Sequence, residues 1–340
     1  RSYLFDMSGK NVLVTGANGH VGFTLTKMLV ERGYNVRASV RDKHNKELTK
    51  NLSNFDIEIV SLNLMEPETI EPAMQDMDGV FQVAAVYKSW ARNPEEEIIN
   101  PSIIGGINVL EAAHNSGVKK IIFTSSTAAI GRSGPNGRAL TEKDWNSKSK
   151  HPYSYAKTEA ERRAWEFSKE MNTNMIVMNP TAVIGPYFHR HTPSTFLFDK
   201  ILKNELPRLP PQTFGYVDVR DVALAHILAY ENKNAEGRHI LCTECVDGFE
   251  LMNIIKNVDS EINVPTKIAP MWQLRLYARY ETTKSWFGYT PAISSETVKE
   301  YMGKITNYDS SKAKDVLGWN PMDLEDSVRD TLNWIKHKLS

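Results

Sequence analysis

Tyr153 and Lys157 stand four residues apart in Tyr-Ser-Tyr-Ala-Lys, so on a helix the phenol and the ammonium share one face. A neighbouring ammonium favours phenolate and lowers a tyrosine pKa, which makes Tyr153 a usable general acid near neutral pH. Tyr155 is only two residues from Lys157 and would face elsewhere, which makes it the poorer donor. By itself Tyr-x-x-x-Lys is common and carries little. Ser126 adds a second polar group, at the end of the buried-looking run Phe123-Thr124-Ser125-Ser126. In a doubly wound sheet the carboxyl ends of strands border the ligand crevice. A hydroxyl there can hydrogen-bond a carbonyl oxygen and steady the charge that develops on it.

A second constellation lies near the start, in Val14-Thr15-Gly16-Ala17-Asn18-Gly19-His20-Val21-Gly22. Glycines at 16, 19 and 22 separate a strand-like run from a helical one. Without Cβ atoms the turn can tighten, and the backbone can approach a pyrophosphate at the helix N-terminus. Tight turns use glycine anyway, but the strand before and the helix after favour the phosphate reading. Gly16, Asn18, Gly19, His20, Val21 and Gly22 are therefore expected to hold a dinucleotide. The second strand ends in Arg41, followed by Asp42, Lys43 and Lys46. An NAD enzyme usually places an acid there for the ribose 2′-hydroxyl. Arg41 can instead pair with a 2′-phosphate through its planar fork, with Lys43 or Lys46 adding charge. Asp42 keeps a 2′-hydroxyl contact open, and the expected cofactor is NADP(H).

These groups need strands whose ends meet along one edge. Strand-like runs at 11–15, 35–40, 57–62, 80–85, 120–124 and 174–178 alternate with helical patterns at 20–32, 67–74, 99–116 and 155–171. In the first helix Val21, Leu25, Met28 and Leu29 recur at helical spacing, and Gly33 stops it. The intervals are long enough for the crossovers that parallel strands require. The fold class read from this rhythm is α/β, a Rossmann doubly wound parallel sheet. After Pro180 prolines cluster and aromatics scatter, as in a smaller C-terminal lobe of loops and helices that can build a substrate pocket. Residues 1–180 are expected to form the dinucleotide-binding domain, with segments from about 212–245 returning to it, and 181–340 mainly the substrate-binding lobe.

Composition removes several functions. The 340 residues hold 41 basic and 41 acidic side chains spread along the chain, which argues against a nucleic-acid surface or a charged tail. No apolar run approaches the roughly 18 residues that span a bilayer. Residues 1–9 lack the apolar region of a secretory signal. Cys242 and Cys245 end a β-like run. A redox pair would need an exposed thiolate of low pKa, and zinc would need two further ligands, so both read as reduced cysteines of a packed strand. With no disulfide framework the expected location is cytoplasmic. His189-Arg190-His191 invites a metal reading, but adjacent extended positions diverge and no acidic or cysteine partner accompanies them. The expected metal content is none, with the three residues in an exposed loop.

Taken together, the chain resembles the extended short-chain dehydrogenase/reductase family from Val12 to the last helix. The motifs Thr15 to Gly22, Ser126, Tyr153 and Lys157 match the family pattern, as do Val83-Ala84-Ala85, Asn179-Pro180-Thr181-Ala182-Val183-Ile184-Gly185-Pro186, Tyr216-Val217-Asp218-Val219-Arg220-Asp221 and the closing Ser311 to Trp319. Within the family the chain is most similar to the dihydroflavonol-reductase-like carbonyl and aldehyde reductases, through Val40-Arg41-Asp42 and Gly185-Pro186-Tyr187-Phe188. The stretch from Ala84 to Arg92 is equally similar to sugar epimerases. The resemblance implies a catalytic trio of Ser126, Tyr153 and Lys157, with Tyr153 donating the proton and Lys157 holding the nicotinamide ribose. It also implies cofactor contacts from Asn63, Leu64, Val83, Ala84, Ala85, Pro180 and Val183.

Three departures stand out: Asn63 replaces the acid that usually meets the adenine amino group, Gln82 replaces a common His, and Gly131 replaces an Asn that holds flavonoids in plant dihydroflavonol reductases. The last makes a flavonoid substrate doubtful. The pocket wall is expected from Tyr87, Trp90, Tyr187, Phe188 and part of the aromatic-rich stretch 271–289. The expected partner is a small-molecule carbonyl substrate, with no nucleic acid and no membrane, in a monomer or homodimer. The alternative is a nucleotide-sugar epimerase or dehydratase of the same family, against which Arg41 argues. A non-catalytic dinucleotide sensor would commonly lack the tyrosine or the lysine, and both are present.

Overall fold

The computed structural model describes residues 10–86, 88 and 90–339. In its first half strands and helices alternate: β1 (Asn11–Val14), α1 (His20–Glu31), β2 (Asn35–Val40), α2 (Lys46–Thr49), β3 (Glu58–Ser61), α3 (Pro67–Met74), β4 (Gly79–Gln82), α4 (Asn100–Asn115), β5 (Lys120–Thr124), α5 (Pro152–Met171) and β6 (Met175–Pro180). Then come β7 (Ala182–Ile184), α6 (Pro193–Leu202), β8 (Thr213–Asp218), α7 (Val219–Glu231), β9 (Gly237–Leu241), β10 (Glu244–Asp247), α8 (Gly248–Val258), α9 (Met271–Ser285), α10 (Ser295–Tyr301), α11 (Ser311–Leu317) and α12 (Leu324–Lys338).

Seven strands form one sheet in the order β3-β2-β1-β4-β5-β6-β9, every neighbouring pair parallel. The fold is thus the doubly wound α/β sheet read from the sequence. Parallel strands are covered on both faces and read as continuous apolar runs. β1 shows this with Val12, Leu13 and Val14 fully buried. The chain reverses direction across the sheet between β1 and β4, and that switch point opens a crevice at the strands' carboxyl ends.

Local chemistry sets the elements that border the crevice. α1 buries Phe23, Leu25 and Leu29 against the sheet and stops where Gly33 takes φ +78°. α5 starts three residues earlier than the expected 155, because Pro152 occupies its first turn, where a missing N–H costs nothing. That places both Tyr153 and Lys157 inside the helix. β4 ends at Gln82 rather than 85, and residues 83–86 leave the sheet to line the crevice.

The smaller layer is built on a three-stranded sheet, β10-β8-β7, with β8 and β10 antiparallel. Phe188, Phe198, Tyr216, Leu251, Ile255, Val328 and Leu332 form its core between α6, α8 and α12. From the stretch 212–245, α7 and β9 pack with the large sheet, whereas β8 and β10 belong to the small one. α11 also returns to the large sheet, where Ala313, Leu317 and Trp319 join its core and the Trp319 indole donates to the Asp221 carbonyl at 2.9 Å. Cys242 and Cys245 are free thiols with sulfurs 3.7 Å apart. Among the described residues no helix is long and apolar enough to cross a membrane, and no cluster of metal ligands forms.

Candidate active site

The strand ends and the lobe loops enclose a cleft of about 1060 Å³. At one end lies the glycine turn. Gly16 takes φ +62°, and an added Cβ would sit 2.9 Å from the Ala84 Cα. At Gly22 a Cβ would come within 2.2 Å of the Gly16 carbonyl oxygen, so α1 can seat on the turn only with glycine there. Gly19 differs. It has ordinary extended backbone (φ −82°), and its nearest obstacle is 3.4 Å away. The fold alone barely restricts this position, which leaves room over the α1 N-terminus, where unpaired N–H groups attract a phosphate.

Thr15 locks the turn to β4. Its hydroxyl donates to Gln82 Oε1 at 2.6 Å and accepts from the Val83 and Ala84 amides, each at 3.0 Å. Gln82 completes the link by donating to the Ala84 carbonyl at 2.9 Å. The residue that departs from the family pattern is therefore a bridge that shapes the cleft floor. His20 ties the turn to the lobe, with Nε2 2.8 Å from the Pro186 carbonyl oxygen. Burial lowers its pKa to about 4, so the ring is neutral and Nε2–H donates.

Ser126, Tyr153 and Lys157 all reach the same cleft. Ser126 caps a short turn by accepting from the Ala128 amide at 3.1 Å. The Lys157 ammonium lies 5.9 Å from the centre of the Tyr153 ring. Burial pushes the Lys157 pKa down to about 8, with Glu161, one turn further along α5, pulling it back up. Tyr155 is 38% exposed and lies outside the cleft wall.

Sequence reading missed the network beneath this trio. Glu161 is fully buried and accepts from Ser125 Oγ, Arg238 Nε and, at 2.9 Å, Asn179 Nδ2. Asn179 also donates to the Ser126 carbonyl at 3.2 Å. One carboxylate thus fixes the ends of β5 and β6 to the helix that carries Tyr153 and Lys157. The available signal was the Lys157-to-Glu161 spacing of one helical turn.

Asn18, Gly19, His20, Val21, Arg41, Asn63, Leu64, Val83, Ala84, Ala85, Pro180 and Val183 line the cleft beside the glycine turn and the trio. Arg41 is exposed at the end of β2 and makes no ion pair among the described residues. Asn63 Oδ1 accepts from the Met65 amide at 3.2 Å, and its amide group donates to Glu66 at 2.8 Å.

Several expectations need correction. Lys46 is not on the wall; α2 brings Lys50 there instead, paired with Glu47 at 2.9 Å. Tyr187 and Phe188 also lie off the wall. Gly185 at φ +107° and Tyr187 at φ +74° turn the chain so that Phe188 enters the lobe core at 1% exposure and Tyr187 packs edge-on against Trp334. Residues 189–194 form the wall in their place. His189 packs edge-on against Phe23 with centroids 4.7 Å apart, and His191 faces Asp199 at 3.6 Å, so the two histidines are packed rather than loop-exposed. Trp90 lines the cleft, and Tyr87 lies outside the described residues. The aromatics of 271–289 face solvent, Trp286 and Phe287 at 76% and 81% exposure; residues 291–294, Thr297 and Tyr301 close the cleft behind them.

A glycine turn at a sheet's switch point, joined in one cleft to a Tyr–Lys pair and a strand-end serine, is the arrangement of a dinucleotide-binding α/β protein. The sequence profile described as NAD dependent epimerase/dehydratase family matches residues 12–242. The chain belongs to that family, the extended short-chain dehydrogenases/reductases, in its dihydroflavonol-reductase-like group. It is 34% identical to cinnamoyl-CoA reductase CAD2 of Medicago truncatula over 275 residues, covering 77% of this chain and 84% of that protein. Among solved structures it is similar to gox2253 (TM-score 0.83, 28% identity, 97% and 99% covered). It is also similar to the NADPH complex of Gre2 from Candida albicans (TM-score 0.76, 27% identity, 97% and 100% covered).

Proposed function

We propose that this chain is an NADPH-dependent reductase of a ketone or aldehyde carbonyl, with Tyr153 as proton donor. The observation that carries the reading is the single cleft that joins the space above Gly19, the free Arg41 guanidinium and the Tyr153–Lys157 pair. The residues fit the cofactor: Gly16 to Gly22 would receive the pyrophosphate, Arg41 the 2′-phosphate, and Pro180 and Val183 the nicotinamide end. When bound, NADPH supplies the hydride.

Ser126 and Tyr153 orient the carbonyl oxygen by hydrogen bonding, and Tyr153 Oη delivers its proton as charge grows there. Lys157 stabilises the phenolate left behind. Its depressed pKa of about 8 still keeps it mostly protonated at pH 7. Glu161 holds the helix and the serine strand together through this cycle. The curated relatives named as cinnamoyl-CoA and dihydroflavonol reductases support reduction over epimerisation.

Tyr153→Phe tests the assignment, since it removes the proton and little else. Turnover of a responsive aldehyde should fall about 10²- to 10⁴-fold, while NADPH binding, followed by fluorescence titration, stays within a few-fold of the parent. Near-normal reduction by the variant would sink it.

A further inference from the structure

We propose that Arg132 forms an anion subsite at the substrate end of the cleft and receives a carboxylate carried by the carbonyl substrate. The inference rests on the reductase reading and narrows its substrate class. Arg132 lies on the cleft wall with its side chain 15% exposed. Its Nη2 donates to Tyr301 Oη at 2.9 Å and to Ser154 Oγ at 3.3 Å, and its guanidinium carbon sits 4.3 Å from the centre of the Tyr301 ring. Ser154 follows Tyr153 on α5, so the fork is tethered one residue from the proton donor.

One arm of the fork is open. Nη1 donates to no described residue, whereas Nε is buried and ion-paired with Glu300. The nearest carboxylate, Glu300, stands 3.5 Å from Nε and is held by other donors, Asn146 at 3.1 Å and Ser149 at 2.8 Å. It offsets part of the charge without closing the fork. An apolar ketone would leave the Nη1 donor unsatisfied, whereas a carboxylate oxygen can accept a charge-assisted hydrogen bond from it.

Charge around the cleft points the same way. Its wall, among the described residues, carries Arg41, Lys50, Lys88, Arg132, Lys157 and Arg190 against one carboxylate, Glu47. Lys50 pairs with Glu47 and Arg190 acts on the same carboxylate, while Arg41 lies on the wall at the end of β2. At the other end Lys88 is paired with Glu97 at 3.1 Å, and Lys157 serves Tyr153. His151, also on this wall, is buried and neutral, with its pKa lowered to about 4 by burial. Arg132, paired with Glu300 on its Nε side only, is the remaining cation with an open donor there. The aromatic-rich stretch 271–289 contributes nothing to this wall among the described residues.

Two aldehydes of equal reactivity class read the subsite: 4-carboxybenzaldehyde and methyl 4-formylbenzoate. The parent enzyme should favour the carboxylate by about tenfold or more in kcat/KM, the scale of one charge-assisted hydrogen bond. Arg132→Met combined with Glu300→Gln, which avoids an orphaned buried carboxylate, should erase that preference, and Arg132→Lys should recover part of it. No preference in the parent, or a preference that survives the double variant, overturns the proposal. Terephthalate titrated calorimetrically into the protein with NADP⁺ separates this from the parent reading. Reduction of neither aldehyde counts against the reductase. Terephthalate binding that the double variant loses still supports the subsite, and no binding overturns it.

Discussion

Lys157 illustrates what a buried ammonium on the cleft wall costs its fold. Its folded pKa of about 8 lies below the ordinary 10.5, chiefly because burial disfavours the charged form. Below pH 8 both folded and unfolded states hold the proton, and the full penalty, on the order of 3 kcal/mol, weighs on the native state. Between pH 8 and 10.5 only the unfolded chain keeps it, so this residue's contribution to stability rises with pH. Lys157→Met should therefore resist urea better than the parent at pH 7, by about 1–3 kcal/mol, while losing activity. A variant less stable at pH 7 would show that the ammonium is better compensated than its burial implies. Glu161, its neighbour one turn along, is compensated by Arg238, so removing the lysine leaves no bare carboxylate.

At the scale of elements, the turn between β1 and α1 separates two uses of glycine. Gly22→Ala drives a Cβ to 2.2 Å from the Gly16 carbonyl, so it should lower the melting temperature and disturb the whole turn. Gly19→Ala meets nothing closer than 3.4 Å and keeps an allowed φ. It should melt close to the parent yet bind NADPH at least tenfold more weakly, because the methyl occupies the space proposed for the pyrophosphate. Equal binding by Gly19→Ala would remove the phosphate role from this turn. Such local features were legible in the sequence: glycine spacing, strand-end Arg41 and the helical Tyr153–Lys157 register all depend on residues within a few positions. What escaped depends on distance along the chain. Glu161 meets Arg238 77 residues away, and Arg132 meets Tyr301 169 residues away. The misplacement of Tyr187 and Phe188 has a backbone cause, since the positive φ at 187 has no side-chain signature.

At the scale of the molecule, one parallel sheet carries the glycine-turn side of the cleft, and a small lobe folded on β7, β8 and β10 closes the other. The short strand-like runs and helical patterns of the first half specified the large sheet well, because each crossover is a complete local unit. The second half was harder to read, since its elements divide between two layers: α7, β9 and α11 pack back on the large sheet while their neighbours build the lobe. Loops from both layers meet at the trio, and under the proposed function substrate choice would be set by long-range contacts such as Arg132 with α10. The central claim, net reduction of a carbonyl by NADPH, is tested most directly by stoichiometry. Purified protein would be supplied with NADPH or NADH and a panel of aldehydes, ketones and nucleotide sugars, with cofactor oxidised and alcohol formed both counted. One NADPH consumed per alcohol, with NADH markedly poorer, is the predicted result. A tightly retained dinucleotide, no net oxidation and interconversion of a nucleotide sugar would contradict it.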